Sequence, residues 1–327
     1  MHLDPFELHL PTSVEEAIAL ARTHSGAFDY LAGGTDLLPN YKMHLNVRPH
    51  LISLDRIEEL RAFHPEEGRL GAMVPLRTLE AHPVLASRYP GIAQAAGEVA
   101  TPLVRASGTL GGNLLVETRC FFFNQSHAWR EALGYCLKAE GDRCHVVPQK
   151  ERCYATFSGD LAPSLLVLGA EIEIAGTSGR RRLLLEELYD GKGDGIRRTR
   201  LAPGELLVRA ALPAGAERGR ASYSKLRVRP SFDFPELGVA VALAETDGRV
   251  DRLEIALGGL ETYPRRMQAQ TAPLVGEKLT EDRVRTLAEE VRKSVRPVHN
   301  TFLAPDYRKR MTGVFVRRAL MALRSAS

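Results

Sequence analysis

The chain has 327 residues, 44% apolar and 26% charged, with a formal net charge of +4. That length provides two or three cores rather than one, the mix is that of a soluble globular protein, and the charge is too small to argue for nucleic acid. No apolar run approaches the roughly 20 residues that span a bilayer, and residues 1–7 carry neither a basic nor an apolar leader, so no membrane partner and a cytoplasmic location are expected.

Residues 12–24 predict a helix. Thr12 and Ser13 stand three residues before Glu15 and Glu16 in overlapping capping-box patterns, and Ala17, Ile18, Leu20 and Ala21 supply an apolar face. Residues 28–32 and 51–54 read as short strands, giving a small α/β unit over 1–56. A second unit over 57–215 holds a strand at 69–74, helices at 76–85 and 92–99, a helix-to-strand passage at 165–174, and an exposed glycine-rich loop at 191–195. A third unit, 216–327, reads as strands at 221–228, 238–246 and 253–258, with a turn at Asp247-Gly248. Two helices follow, one around Val284 to Val291 and one opened by Pro305. The fold class is therefore α+β. The basic clusters Arg308-Lys309-Arg310 and Arg317-Arg318 read as a solvated helix face or as a patch for an acidic subunit or phosphate.

Two glycine motifs stand out. Ala32-Gly33-Gly34-Thr35-Asp36 lies at a strand-to-helix turn, where glycine lets backbone N–H groups approach a phosphate and the helix N-terminus favours an anion. A purely structural turn fits the same residues. Gly108-Thr109-Leu110-Gly111-Gly112-Asn113 adds hydroxyl and amide donors. Neither is G-x-G-x-x-G or G-x-x-x-x-G-K-[ST], which disfavours a Rossmann or P-loop site. A diphosphate held between two separate loops fits better.

All four cysteines, Cys120, Cys136, Cys144 and Cys153, fall between the second glycine motif and Ser158-Gly159-Asp160-Leu161-Ala162-Pro163, within an insertion at about 116–156. In a reducing compartment such a cluster suits metal ligation better than disulfides. The spacing C-x15-C-x7-C-x8-C matches neither ferredoxin pattern and contains no C-x2-C zinc pair. Four thiolates complete a [4Fe–4S] shell; a four-cysteine zinc site, a redox sensor and unliganded cysteines are the alternatives, with His127 or His145 able to replace a thiolate. Residues 126–135 read as a short amphipathic helix whose Trp129, Leu133 and Tyr135 pack the loop down.

Taken in order, several segments resemble the FAD-binding medium subunit of the xanthine oxidase (molybdenum hydroxylase) family. They are Pro11-Thr12-Ser13-Val14-Glu15-Glu16-Ala17, the two glycine motifs, Asp160-Leu161-Ala162-Pro163-Ser164-Leu165, Leu201-Ala202-Pro203-Gly204-Glu205-Leu206-Leu207, residues 223–226, Tyr263-Pro264-Arg265-Arg266 and Tyr307-Arg308. No single motif decides the match; their order does. The resemblance implies a two-part FAD-binding domain followed by an α+β domain. Ala32, Gly33, Gly34, Thr35 and Asp36 would cradle the diphosphate, with Thr109, Gly111, Gly112 and Asn113 closing it from the other side. Asp160 would bond ribose or ribityl hydroxyls, Leu206 or Leu207 would pack near the isoalloxazine, and Lys225 would approach its pyrimidine edge, unless it is a surface lysine.

The inserted cysteine loop further resembles the 4-hydroxybenzoyl-CoA reductase branch of that family, which serves anaerobic aromatic degradation. That likeness implies a [4Fe–4S] cluster on the four cysteines and a ferredoxin-like donor. Its partners would be a molybdenum-binding large subunit and a [2Fe–2S] small subunit, with the substrate reduced at the molybdenum. The alternative implied is the FAD subunit of an aromatic or purine hydroxylase with structural zinc in the loop. No catalytic residue is expected in this chain.

Overall fold

A computed structural model describes residues 3–325; residues 1–2 and 326–327, at the outer ends of the first and third expected units, lie outside the described residues. The N-terminal part is a parallel sheet of β1 (Glu7–His9), β2 (Phe28–Leu31) and β3 (His50–Ser53), with β3 in the middle. Helix α1 (Val14–Thr23) begins as its capping box dictates. Ser13 Oγ accepts the Glu16 amide, and the Glu16 carboxylate accepts the Thr12 amide at 2.7 Å. Its Val14, Ala17 and Ala21 bury in one core with Ile52, Leu54 and Val208. Helix α2 (Leu37–Lys42) follows the first glycine pair.

The middle part is an antiparallel sheet of β4 (Phe63–His64), β5 (Arg69–Gly71), β6 (Glu171–Gly176), β7 (Gly179–Leu184) and β8 (Leu206–Ala211) in the order β4-β5-β8-β6-β7. Its helices are α3 (Leu76–Ala81), α4 (Pro83–Arg88), α5 (Pro90–Glu98), α6 (Pro102–Ser107), α7 (Leu110–Leu114), α8 (His127–Ala132), α9 (Leu161–Val167) and α10 (Leu185–Leu188). Two sequence expectations are corrected here. The helix expected over 76–85 breaks because His82, preceding Pro83, is extended at ψ 124°. The strand expected over 69–74 stops at Gly71, where the chain turns so that Ala72 and Val74 offer their carbonyls to Gly111 and Leu110 of the second glycine motif.

The C-terminal part is an antiparallel sheet of β9 (Arg220–Leu226), β10 (Leu237–Thr246), β11 (Arg249–Gly258) and β12 (Arg265–Arg266), ordered β12-β11-β10-β9. It carries α11 (Gln268–Thr271), α12 (Glu281–Ser294) and α13 (Pro305–Ser325). The two-residue period of β10 joins it to the rest of the molecule. Leu237, Val239, Val241 and Leu243 pack under α12 and α13, while Ala240 and Ala242 join the core built on α5 and α9. Arg308 is not on a solvated face. It is fully buried and donates to the carbonyls of Glu236, Val298 and Gly259 and to Asn300 Oδ1. Arg317 and Arg318 are exposed.

Candidate functional site

The two glycine motifs meet. A Cβ on Gly33 would collide with the Ser107 carbonyl, and Thr35 Oγ1 lies 3.5 Å from the Cβ position of Gly108. Gly34 holds φ +70°, a left-handed conformation that favours glycine. Among the described residues the amides of Gly33, Gly34 and Thr35 donate to no protein acceptor, so this turn, with Ala32 before it, offers a row of free N–H groups. The second motif behaves differently. Gly111 N–H is taken by Ala72 O at 2.8 Å, Gly112 N–H by Thr109 Oγ1 at 3.1 Å, and Asn113 N–H by Thr109 O at 2.9 Å. Asn113 Oδ1 accepts the Leu161 amide at 3.0 Å, tying the motif to the start of α9. Its glycines serve close packing, since a Cβ on Gly111 would stand 2.9 Å from Ala72 Cβ. Backbone donors thus come from the first loop; the second contributes shape and the Thr109 hydroxyl.

Asp36 is corrected. Its carboxylate is bound to the Arg119 guanidinium and to Asn40 Nδ2 at 3.2 Å, so it fixes the first loop to the root of the cysteine insertion. A free carboxylate there would repel a diphosphate. Leu206 and Leu207 are adjacent on β8 and point to opposite faces; both are buried, Leu206 in the core of α1 and Leu207 in that of α9, so one of the two at most faces a flavin ring.

Asp160, buried at the start of α9, accepts from Tyr223 Oη at 2.6 Å and from Lys225 Nζ at 3.1 Å; Lys225 also donates to Glu98 O. Burial pushes the Asp160 carboxyl upward, against the opposing pull of Lys225 and Tyr223. The Lys225 side chain is fully buried, which overturns the surface-lysine alternative. The buried hydroxyls of Ser158, Ser222 and Ser224, close in sequence to this pair, have no protein partner among the described residues. Free amides, a glycine cradle and unpaired hydroxyls suit a ligand rich in phosphate and sugar hydroxyls, as FAD is.

The insertion is closed at its base by an antiparallel bridge between Arg119 and Thr156. Within it Cys120, Cys136, Cys144 and Cys153 are each 4–8% exposed, unpaired by disulfides, and line one small cavity with Phe122, Leu137, Lys138, His145 and Val146. The amides of Phe123 and Ala155 each donate to a cysteine sulfur, Cys120 and Cys153, at 3.4 Å. Burial pushes the thiols up, Cys120 to about 11 and Cys153 to about 12. His127 is exposed and stacks with His44 and Tyr135. His145 Nε2 is engaged by the Tyr135 carbonyl at 2.6 Å, so neither histidine displaces a cysteine.

What pins the loop is not the aromatic face expected from sequence. Trp129 and Leu133 are exposed, whereas Arg130 is buried and donates to the carbonyls of Gln125, Met43 and His44. A second anchor is Lys138, whose ammonium is 2.5 Å from Glu117 Oε1 and also reaches Thr118 and Gly195 O. Burial works to raise the Glu117 carboxyl, but Arg198 and Lys138 outweigh it and hold it at about 2. No motif announced this cluster, because its members are scattered from 117 to 198.

A parallel-sheet part, an antiparallel part and an antiparallel-sheet cap, with two glycine loops meeting between them, define an FAD-binding protein of the molybdenum hydroxylase type. Residues 4–215 match the FAD binding domain in molybdopterin dehydrogenase, and residues 221–323 match the CO dehydrogenase flavoprotein C-terminal domain. The chain belongs to the family of FAD-binding medium subunits of the molybdenum hydroxylases. It is 30% identical over 321 residues to the carbon monoxide dehydrogenase medium chain of Hydrogenophaga pseudoflava, covering 97% of this chain and 96% of that one. It is 35% identical over 276 residues to the aldehyde oxidoreductase FAD-binding subunit of Escherichia coli K12, covering 80% and 83%. In structure it is similar to carbon monoxide dehydrogenase from Hydrogenophaga pseudoflava, with a TM-score of 0.80 at 29% identity over 99% of both chains.

Proposed function

We propose that this chain is the FAD- and [4Fe–4S]-carrying electron-transfer subunit of a molybdenum oxidoreductase, of the 4-hydroxybenzoyl-CoA reductase type. The observation that carries the proposal is four buried cysteines around one cavity inside an insertion rooted on the flavin loops. When bound, FAD exchanges one or two electrons and a [4Fe–4S] cluster one at a time. The chain's own residues hold both groups. Gly33, Gly34 and Thr35 offer amides to a diphosphate, Asp160 and Ser158 serve its sugar hydroxyls, and Lys225 supplies a buried cation that favours an anionic flavin. The four cysteines supply thiolates, and the Phe123 and Ala155 amides stabilise two of them.

The sulfur spacing favours iron–sulfur over zinc. In a tetrahedral four-cysteine zinc site the sulfurs stand about 3.8 Å apart, from Zn–S bonds of about 2.3 Å. Among the described residues the one trio of possible ligand atoms within 4.8 Å of one another is not in this loop, so the sulfurs are not gathered at the spacing of a zinc shell. Buried thiols, two of which (Cys120 and Cys153) burial pushes upward, also make poor redox sensors, which need accessible thiolate.

The proposed partners are a molybdenum-binding large subunit and a [2Fe–2S] small subunit, with a ferredoxin-like one-electron donor and reduction of 4-hydroxybenzoyl-CoA to benzoyl-CoA on the molybdenum subunit. The test uses the assembled complex with reduced ferredoxin and 4-hydroxybenzoyl-CoA. Benzoyl-CoA formation that is lost with Cys136→Ser, at unchanged FAD content, supports the reading. Hydroxylation of an aromatic or purine substrate, unaffected by Cys136→Ser, contradicts it and favours the hydroxylase alternative.

A further inference from the structure

Away from the cysteine loop and the glycine motifs, three histidines far apart in the chain converge. His9 lies on β1, His24 caps α1 and His50 opens β3. One ring nitrogen of each lies within 4.8 Å of the others, and His9 Nε2 and His50 Nδ1 are 3.2 Å apart. The His24 and His50 ring centroids are 3.8 Å apart. The Glu7 carboxylate borders two of the three rings, with Oε2 3.4 Å from His50 Nδ1 and Oε1 3.9 Å from His9 Nε2. The three histidines are half-buried, so the site is open enough to exchange an ion.

The backbone behind each ring is fixed. The His24 amide donates to Leu20 O at 2.9 Å, Ala27 N–H returns to His24 O at 2.8 Å, and the His50 amide donates to Ala27 O at 3.2 Å. Glu7 pairs with His50 across the β1–β3 ladder, and its amide donates to Pro49 O at 2.8 Å. Hydrogen bonding between the rings joins one pair only, His9 and His50.

We propose that Glu7, His9, His24 and His50 form a binding site for a divalent transition metal, Zn²⁺ as the reference ion, that staples the N-terminal strand to the sheet. Tetrahedral zinc with Zn–N bonds of about 2.0–2.1 Å places its ligands about 3.3 Å apart, matching the His9–His50 separation of 3.2 Å and the Glu7–His50 separation of 3.4 Å. Imidazole nitrogen with one carboxylate selects zinc-like ions over Mg²⁺ or Ca²⁺, which demand oxygen shells. The ion takes the place of the His9–His50 ring contact and draws His24 into the same shell. Its role is structural. β1 is a three-residue edge strand with Leu8 exposed, held to the sheet by β3 alone, and a staple through His9 fastens it to both β3 and the end of α1.

The test is Zn²⁺ titration of the full chain after chelator treatment, with bound zinc, iron and sulfide measured together and the zinc shell read by X-ray absorption. The expected result is one zinc per chain with a shell of nitrogen and oxygen only, and a rise in unfolding midpoint that depends on zinc concentration. His9→Asn and His50→Asn should each weaken binding about a hundredfold, the upper range for disturbing a metal shell, while zinc-free unfolding midpoints stay close to wild type. The double variant His9→Asn/His50→Asn guards against one ligand being dispensable. Zinc uptake unchanged in the double variant, or a sulfur-containing shell lost with Cys136→Ser, overturns the proposal.

Discussion

At the scale of single residues, the candidate flavin site rests on groups whose replacement has a defined physical consequence. Gly33 is where the two loops touch, and a methyl there collides with backbone that no side-chain rotation relieves. Gly33→Ala should therefore lower FAD affinity at least about tenfold, equivalent to about 1.4 kcal/mol, measured as FAD content and by flavin titration of the stripped protein. Lys225→Met leaves the Asp160 carboxylate buried beside Tyr223 without its counter-charge. Breaking such a pair from one side costs about 3–5 kcal/mol, to be read from denaturant unfolding. Adding Asp160→Asn should recover part of that loss, because residues that share one interaction are not additive. Additive losses would show that the two side chains act separately.

At the scale of elements, the cysteine insertion is held by polar anchors together with a small apolar core in which Phe123 and Ala155 pack with Leu45. Glu117 has a folded pKa of about 2 against an ordinary 4.5. A depressed carboxyl contributes stability that is complete above the ordinary value and lost as pH falls through the folded one. The anchor should thus loosen between about pH 4.5 and pH 2. Trp129, the single tryptophan, sits inside the insertion, so its emission reports the loosening. Glu117→Gln should abolish that pH dependence, whereas an identical acid transition in the variant would place its origin elsewhere. On the other side, Asn300 donates to Tyr154 O at 2.7 Å, accepts Arg308 at 3.0 Å, and its carbonyl takes the Phe121 amide at 3.1 Å. Asn300→Ala should speed iron release to a chelator several-fold while FAD stays bound, since Asn300 touches the insertion and not the glycine loops; equal loss of both would tie the loop directly to the flavin cradle.

At the scale of the whole molecule, what the sequence made legible is what local chemistry encodes. The Ser13 N-cap of α1, the Asp247-Gly248 turn and the glycine turn after β2 each specify geometry within a few residues, and the structure has them there. The four clustered cysteines were visible for the same reason. Features that depend on distant segments were not. Arg308 looks like surface charge until Glu236, Gly259 and Asn300 fold around it. Leu206 and Leu207 look interchangeable in sequence until alternation on β8 sends them into two cores. The His9–His24–His50 convergence has no sequence spacing at all. Asp36 shows the same limit inside a recognised motif, because its partner Arg119 lies 83 positions away. The central claim is that the insertion makes this flavin subunit an iron–sulfur protein. The most direct measurement is iron, acid-labile sulfide, zinc and FAD in the anaerobically purified full chain and its Cys136→Ser variant. About four iron and four sulfide per FAD, lost together in the variant with FAD retained, is the expected result; a metal-free loop, or zinc without sulfide that disappears with Cys136, would contradict it.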